Sequence, residues 1–175
     1  TQSRSSAASD VYKRQEDTLS PIIDLVKKIN PNIHYWKKSG KYTIDNVDFG
    51  VLSIFDVDKE GKQLTNGLPD PKDLDNEHKI ALFHGAVGTF LYDNGFQVTD
   101  ENVTLDTFKG YDLGLYGDIH RRQFLDKEQH HAFCGSLIQQ GFAEEPAHGF
   151  LLWDVENKTA EFHQIKNDYG FKTLE

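Results

Sequence analysis

Two segments of this chain end an apolar run at a glycine flanked by side chains able to bind metals. The first is Leu82-Phe83-His84-Gly85, and the second is Leu115-Tyr116-Gly117-Asp118-Ile119-His120. Imidazole and carboxylate donors together suit manganese, iron or zinc, with manganese favoured as carboxylate content rises. Glycine at a strand end lets the backbone turn sharply and leaves room for a metal or a phosphate. If the backbone stays extended through the second segment, Asp118 and His120 project from one side while Ile119 points back into the core. Without a metal, Asp118 could instead orient His120 as an acid–base pair. Taken singly both segments are weak signals, because a histidine after a strand is commonly structural and Asp-x-His spacings arise by chance.

Other polar residues nearby read differently. Arg121 and Arg122 follow His120 directly and could touch a phosphate, although adjacent charges after a turn are usually solvated; Arg122 is the substrate-binding candidate. Ser136 follows Gly135 without the strand–turn–helix context of a nucleophile elbow, which points to a backbone role beside the site. His130 and His131 open a strand and read as structural, while His148, beside acidic residues, reads as surface. Trp153 lies in an apolar strand and is expected in the core, with base stacking as the alternative. Cys134, the single cysteine, ends the run Ala132-Phe133-Cys134 and is expected to be a buried, inert thiol.

The elements that must position these residues are legible in outline. Ser20 can cap a helix, Pro21 suits its first turn, Ile22, Leu25, Val26 and Ile29 form one apolar stripe, and Asn30-Pro31 stops it. Extended runs at Ile33 to Trp36, Lys41 to Ile44 and Val47 to Ile54, with turns at Gly40 and Asp45-Asn46, predict an antiparallel meander. Residues 56–79 are polar and contain Gly61, Gly67, Pro69 and Pro71, predicting a long, variable surface loop. Ile80 to Phe83 and Tyr111 to Tyr116 are mostly apolar without alternation, as in strands buried on both faces. A helical turn is expected around Leu105–Phe108. Further on come a strand from His131 to Cys134 and a hairpin of Phe150 to Val155 with Thr159 to Ile165. Buried strands mixed with helices, then antiparallel strands, place the chain in the α/β class.

Order and context join these pieces. LFHG, then YDLGLYGDIHRRQF, then FCGSLIQQ, then HGFLLWDVE resembles the second half of the SbcD-type DNA double-strand-break repair nucleases, which are calcineurin-like metallophosphoesterases. The resemblance runs from about Asp17 to the end of the chain. It implies a metallophosphoesterase-type β-sandwich flanked by helices, of which residues 16–175 would hold only the second half. It also implies two divalent metal ions, manganese first with magnesium, iron or zinc as alternatives. His84 matches the family's HG histidine and would bind the second metal. Asp118 matches the first position of the GHxH motif, also serving the second metal, and His120 the last, serving the first. The aspartate departs from the commoner histidine and would make the site harder and more anionic. The remaining family ligands belong to an Asp-x-His, a GDxxD and an Asn-His motif, none of which precedes His84 here. Implied partners are DNA, an SMC-like ATPase and a second copy of the intact protein, and the implied role is exo- or endonucleolytic recombination or repair.

Composition narrows the rest. A 175-residue chain with 37% hydrophobic residues can form a real core, but its formal charge of −9 gives no general basic surface for nucleic acid. Any phosphate must therefore be held at a local site, with metal ions as the natural source of positive charge. One cysteine excludes an intrachain disulfide, and no signal peptide or membrane span is visible, which predicts a soluble, cytoplasmic protein. The first residues, 1–15, contain SAASDVYKRQ, which looks like adapter-derived sequence at the end of a metagenomic reading frame, with a natural flexible arm as the alternative, and are set apart from the fold.

Overall fold

The structure, a computed structural model, describes residues 19–171; the predicted tail at 1–15 lies outside them. The chain is mixed α/β and mostly sheet. Helix α1 (Ser20–Ile29) leads into strands β1 (Gly40–Ile44), β2 (Val47–Leu52), β3 (His78–His84), β4 (Thr89–Leu91) and β5 (Gln97–Thr99). Then follow β6 (Leu113–Gly117), β7 (Gln123–Phe124), β8 (His131–Phe133), β9 (Gly149–Asp154) and β10 (Thr159–Gln164). Short 3-10 turns occupy Pro71–Asp73 and, as the sequence suggests, Leu105–Phe108. No helix among the described residues is long and apolar enough to cross a membrane.

The main sheet has the order β1-β2-β3-β6-β8-β7. Its four inner strands are parallel, so Leu52, His84, Gly117 and Phe133 end at one edge. The predicted antiparallel meander is therefore limited to the β1–β2 hairpin, and Ile33 to Trp36 forms no strand. Side-chain packing holds that segment instead: Trp36 stacks on Tyr42 at 4.8 Å and tilts against Phe49 at 5.1 Å.

Cross-strand register builds the core. Leu52, Phe83, Tyr116 and Phe133 are successive partners across the four parallel strands, and all point into one apolar cluster. Phe108 packs on Tyr116 at 4.9 Å and Phe90 on Phe133 at 5.7 Å, closing that cluster from the connecting segments. The next row on the same face, Gly50, Ala81 and Gly114, two residues back along each strand, is small for a reason. A Cβ on Gly50 would stand 1.9 Å from the Tyr111 hydroxyl, and one on Gly114 2.2 Å from His131 Nδ1. His131 in turn bonds the buried Tyr116 hydroxyl at 2.7 Å, an interior polar pair in which burial lowers the imidazole pKa.

Coverage of the other face is partial: Val51, Ile80 and Leu113 are buried there, whereas Phe49, Leu82 and Leu115 stay half-buried, so β3 and β6 are enclosed on both sides over only part of their apolar runs. The stripe of α1 is likewise open, with Ile22 at 50%, Leu25 at 60% and Ile29 at 80% exposure. Leu19, not Ser20, occupies the N-cap position of α1.

The long polar segment before β3 is more ordered than its composition implies. A bridge pairs Val57 with Gln63, and Leu74 is buried. Strand β3 starts at His78, inside the predicted loop, because parallel pairing with Val47 uses backbone groups whatever the side chain. Asp48 anchors the junction. Its fully buried carboxylate accepts from Thr43 Oγ1 at 2.6 Å, the Asp75 and Asn76 amides at 2.8 and 3.0 Å, and Asn76 Nδ2 at 2.9 Å. Burial alone would raise its pKa; these donors and Lys41 outweigh that and hold it well below the ordinary carboxylate range. A folded-state pKa below the unfolded ~3.9 means the contribution is complete above that pH and is lost as acid takes the pH down through it. Asp48→Ala is expected to orphan the two loop amides and destabilise the protein by about 1–3 kcal/mol in chemical denaturation at neutral pH. The deficit should shrink on acidification below about pH 4.

Candidate functional site

The shared edge of the parallel strands gathers the candidate residues. His84 is the last residue of β3 and pairs with Gly117, the last of β6. Its imidazole lies across that glycine, where a Cβ would come within 2.4 Å of Nδ1. Immediately beyond, Asp118 adopts a left-handed backbone (φ 79°), a conformation Asp tolerates better than most residues. The extended backbone supposed for Asp118 to His120 is thus absent, since the strand stops at Gly117. The turn nevertheless brings Asp118 Oδ1 to 3.9 Å from His84 Nε2, and Ile119 is buried in the core.

His120 is fixed at both ends. Its carbonyl accepts the Ser136 amide at 3.1 Å, and its Nδ1 lies 3.0 Å from Glu144 Oε1. Gly135 (φ 78°) makes the first contact possible, because a Cβ there would meet the His120 carbonyl oxygen at 2.8 Å. Glu144 Oε2 accepts the Gln140 amide at 2.7 Å and faces His148 Nε2 at 3.6 Å. His148 Nδ1 bonds Ser136 Oγ at 2.8 Å.

Two clefts meet at Asp93 and His120. One of about 370 Å³ is lined by Tyr92, Asp93, Asp118, His120, Phe142 and Glu144, among others. The other, about 120 Å³, includes Asp93, His120, Arg122, Ser136, His148 and Phe162. Burial pushes Glu144 upward, but the Gln140 amide and His120 hold its carboxyl below the usual range. Asp93 moves the opposite way, raised by burial and by the Glu144 charge.

Several expectations need correction. His148 is buried at 7% exposure, drawn inward by Ser136 and Glu144. Cys134 is exposed, lying just past the end of β8 at Phe133. Trp153 is only half-buried, edge-on to Phe124 at 6.3 Å. Arg122 stacks on Phe162 at 3.9 Å while lining the smaller cleft, and Arg121 donates to the Tyr92 carbonyl at 3.2 Å. The amides of His130 and His131 both donate to Asp126. No sequence pattern singles out Glu144 and Asp93. Only the Glu144–His148 spacing beside Pro146 offered a local hint, and Asp93 offered none.

The donor types fit the metal chemistry that the resemblance implies, but their number does not complete it. His84 and Asp118 form a pair, and His120 and Asp118 line one cleft. Among the described residues no group of three or more His, Cys, Asp or Glu side chains could hold a metal ion, whereas each ion takes about four to six donors.

The close fit of His84 over Gly117 has a direct consequence. Gly117→Ala should displace the imidazole from Asp118 and shift its ring resonances in histidine-labelled NMR spectra, leaving the interior His131–Tyr116 pair unmoved. Unchanged His84 resonances would refute that packing.

No protein-family model matches the sequence. In a 168-residue alignment covering 93% of its length, the chain is 39% identical to an uncharacterised protein of Acanthamoeba polyphaga mimivirus, and it spans 12% of that protein.

Proposed function

We propose that this chain is part of a metal-dependent phosphodiesterase that hydrolyses DNA, of the SbcD-type calcineurin-like class. The observation that carries the reading is the convergence at the shared strand edge: His84 and Asp118 lie 3.9 Å apart, with His120 beside Asp118 in one cleft. Ligands of open α/β sheets gather at the carboxyl ends of parallel strands, and this sheet delivers its imidazoles and carboxylate there. The finer fold is the second half of a metallophosphoesterase β-sandwich, and the half-open sheet face is consistent with further structure packing on it. His84 and Asp118 bind the second metal, His120 the first, and manganese is the preferred ion. When bound, such ions supply Lewis acidity toward the phosphate oxygens. This chain's own residues hold the His120 ring, keep Asp118 turned out of the strand and place Arg122 beside the smaller cleft. DNA is the substrate, with an SMC-like ATPase and a second copy as partners of the intact protein.

A second reading has its own support. The short donor set favours a non-catalytic segment when these residues stand alone. The net charge of −9 favours small phosphodiesters or nucleotides over DNA as substrate of the longer protein.

The test compares the 175-residue chain with the mimivirus relative, both assayed with manganese on double-stranded DNA and on a generic aryl phosphodiester. The relative is expected to cleave both, and alanine at its position aligned with His120 should abolish turnover. The chain alone should stay at background. Cleavage of only the small ester would overturn the nuclease assignment, and cleavage of neither would overturn the phosphodiesterase.

A further inference from the structure

Glu144 lies 24 residues beyond His120 in sequence, yet its carboxylate meets the imidazole in the fold. A glutamate carboxylate is ionised at neutral pH and can only accept, so the His120 nitrogen lying 3.0 Å from it must carry the proton. That leaves Nε2 as the nitrogen with the lone pair, on a ring whose side chain is 42% exposed and which lines both clefts. The carboxylate is itself tightly held. The side chain is 10% exposed, its second oxygen accepts the Gln140 amide, and the backbone carbonyl of Glu144 accepts Gln139 Nε2 at 2.9 Å.

The contacts close on themselves. His120 reaches Glu144 through its ring, Glu144 faces His148 Nε2, His148 bonds Ser136 Oγ, and the Ser136 amide returns to the His120 carbonyl. His148 Nε2 is buried without a hydrogen-bond partner and lies 3.6 Å from Glu144 Oε2, while its Nδ1 lies within reach of both the Ser136 hydroxyl at 2.8 Å and the Ser136 carbonyl at 3.1 Å. One carboxylate therefore stands between two imidazoles that come from opposite sides of the Gly135 turn.

We infer that Glu144 is a positioning residue for His120, fixing the Nδ1–H tautomer and thereby presenting the Nε2 lone pair to an incoming cation. The cation part of this inference rests on the function proposed above; the tautomer part does not. Partners of this kind fix ring orientation and raise ligand basicity, and their removal typically costs 10–100-fold in metal affinity.

The experiment uses the 175-residue chain labelled with nitrogen-15 in its histidines, at about pH 8, where imidazoles near the ordinary value of about 6.5 are neutral. Long-range proton–nitrogen spectra of the wild type should show His120 protonated at Nδ1 and bare at Nε2. Glu144→Ala should release it to a mixture with the Nε2–H form. Retention of the Tyr116–His131 signals checks that the core remains folded. Manganese alone is then titrated in, with paramagnetic broadening of the His120 ring as readout. About 10–100-fold more manganese should be needed in Glu144→Ala. A wild-type His120 in the Nε2–H form would overturn the positioning role, whatever the variant does, as would an unchanged tautomer in folded Glu144→Ala. With the tautomer as expected, equal broadening in both proteins would overturn the cation part of the inference. Absence of any broadening at His120 in the wild type would instead count against the metal reading of the proposed function and leave the tautomer assignment standing.

Discussion

Everything at the candidate site depends on the in-register parallel pairing of β2, β3, β6 and β8. Parallel strands in register end together, so residues widely spaced in sequence arrive at one edge without any contact between their side chains being required. The same register stacks Leu52, Phe83, Tyr116 and Phe133 into one row of the core. A slip of one residue would turn that row to the other face and carry His84 away from Gly117. The small residues Gly50, Ala81 and Gly114 in the adjoining row belong to the same constraint, since Tyr111 and the Tyr116–His131 pair fill the space above them.

How much of this could be read in advance divides by range. The helix of residues 20–29, the β9–β10 hairpin and the apolar strands ending at His84 and Gly117 are visible because each is a local pattern. Parallel order is not local, and the run Ile33 to Trp36 shows why propensity alone misleads: its aromatic residues satisfy themselves by stacking. The same holds at the site. His84, Asp118 and His120 declare themselves through strand-end glycines, whereas Glu144 and Asp93 reach the clefts through loops with no periodicity. His148 reads as a surface residue until its partners Ser136 and Glu144 are placed around it.

The chemistry of the clefts follows from crowding negative charge there. Glu144 is stabilised as an anion by donors it can reach, whereas burial, and then the Glu144 charge, raise the Asp93 carboxyl above its ordinary value. Arg122 is already engaged with Phe162, so its cation is partly occupied by an aromatic face. Such a cleft repels a bare polyanion and favours cations, in keeping with the net charge of −9 of the whole chain.

The parallel sheet also sets when the site comes into being. Residues of β2 pair with residues of β3 across the long segment between them, and β3 pairs with β6 across another, so these contacts close late and slowly during folding. His84 and Asp118 have no reason to be near each other until β3 and β6 have zipped to their last pair. Any cation bound by this pair, as the proposed function has it, would therefore arrive only after sheet closure and would favour the closed sheet over reopening.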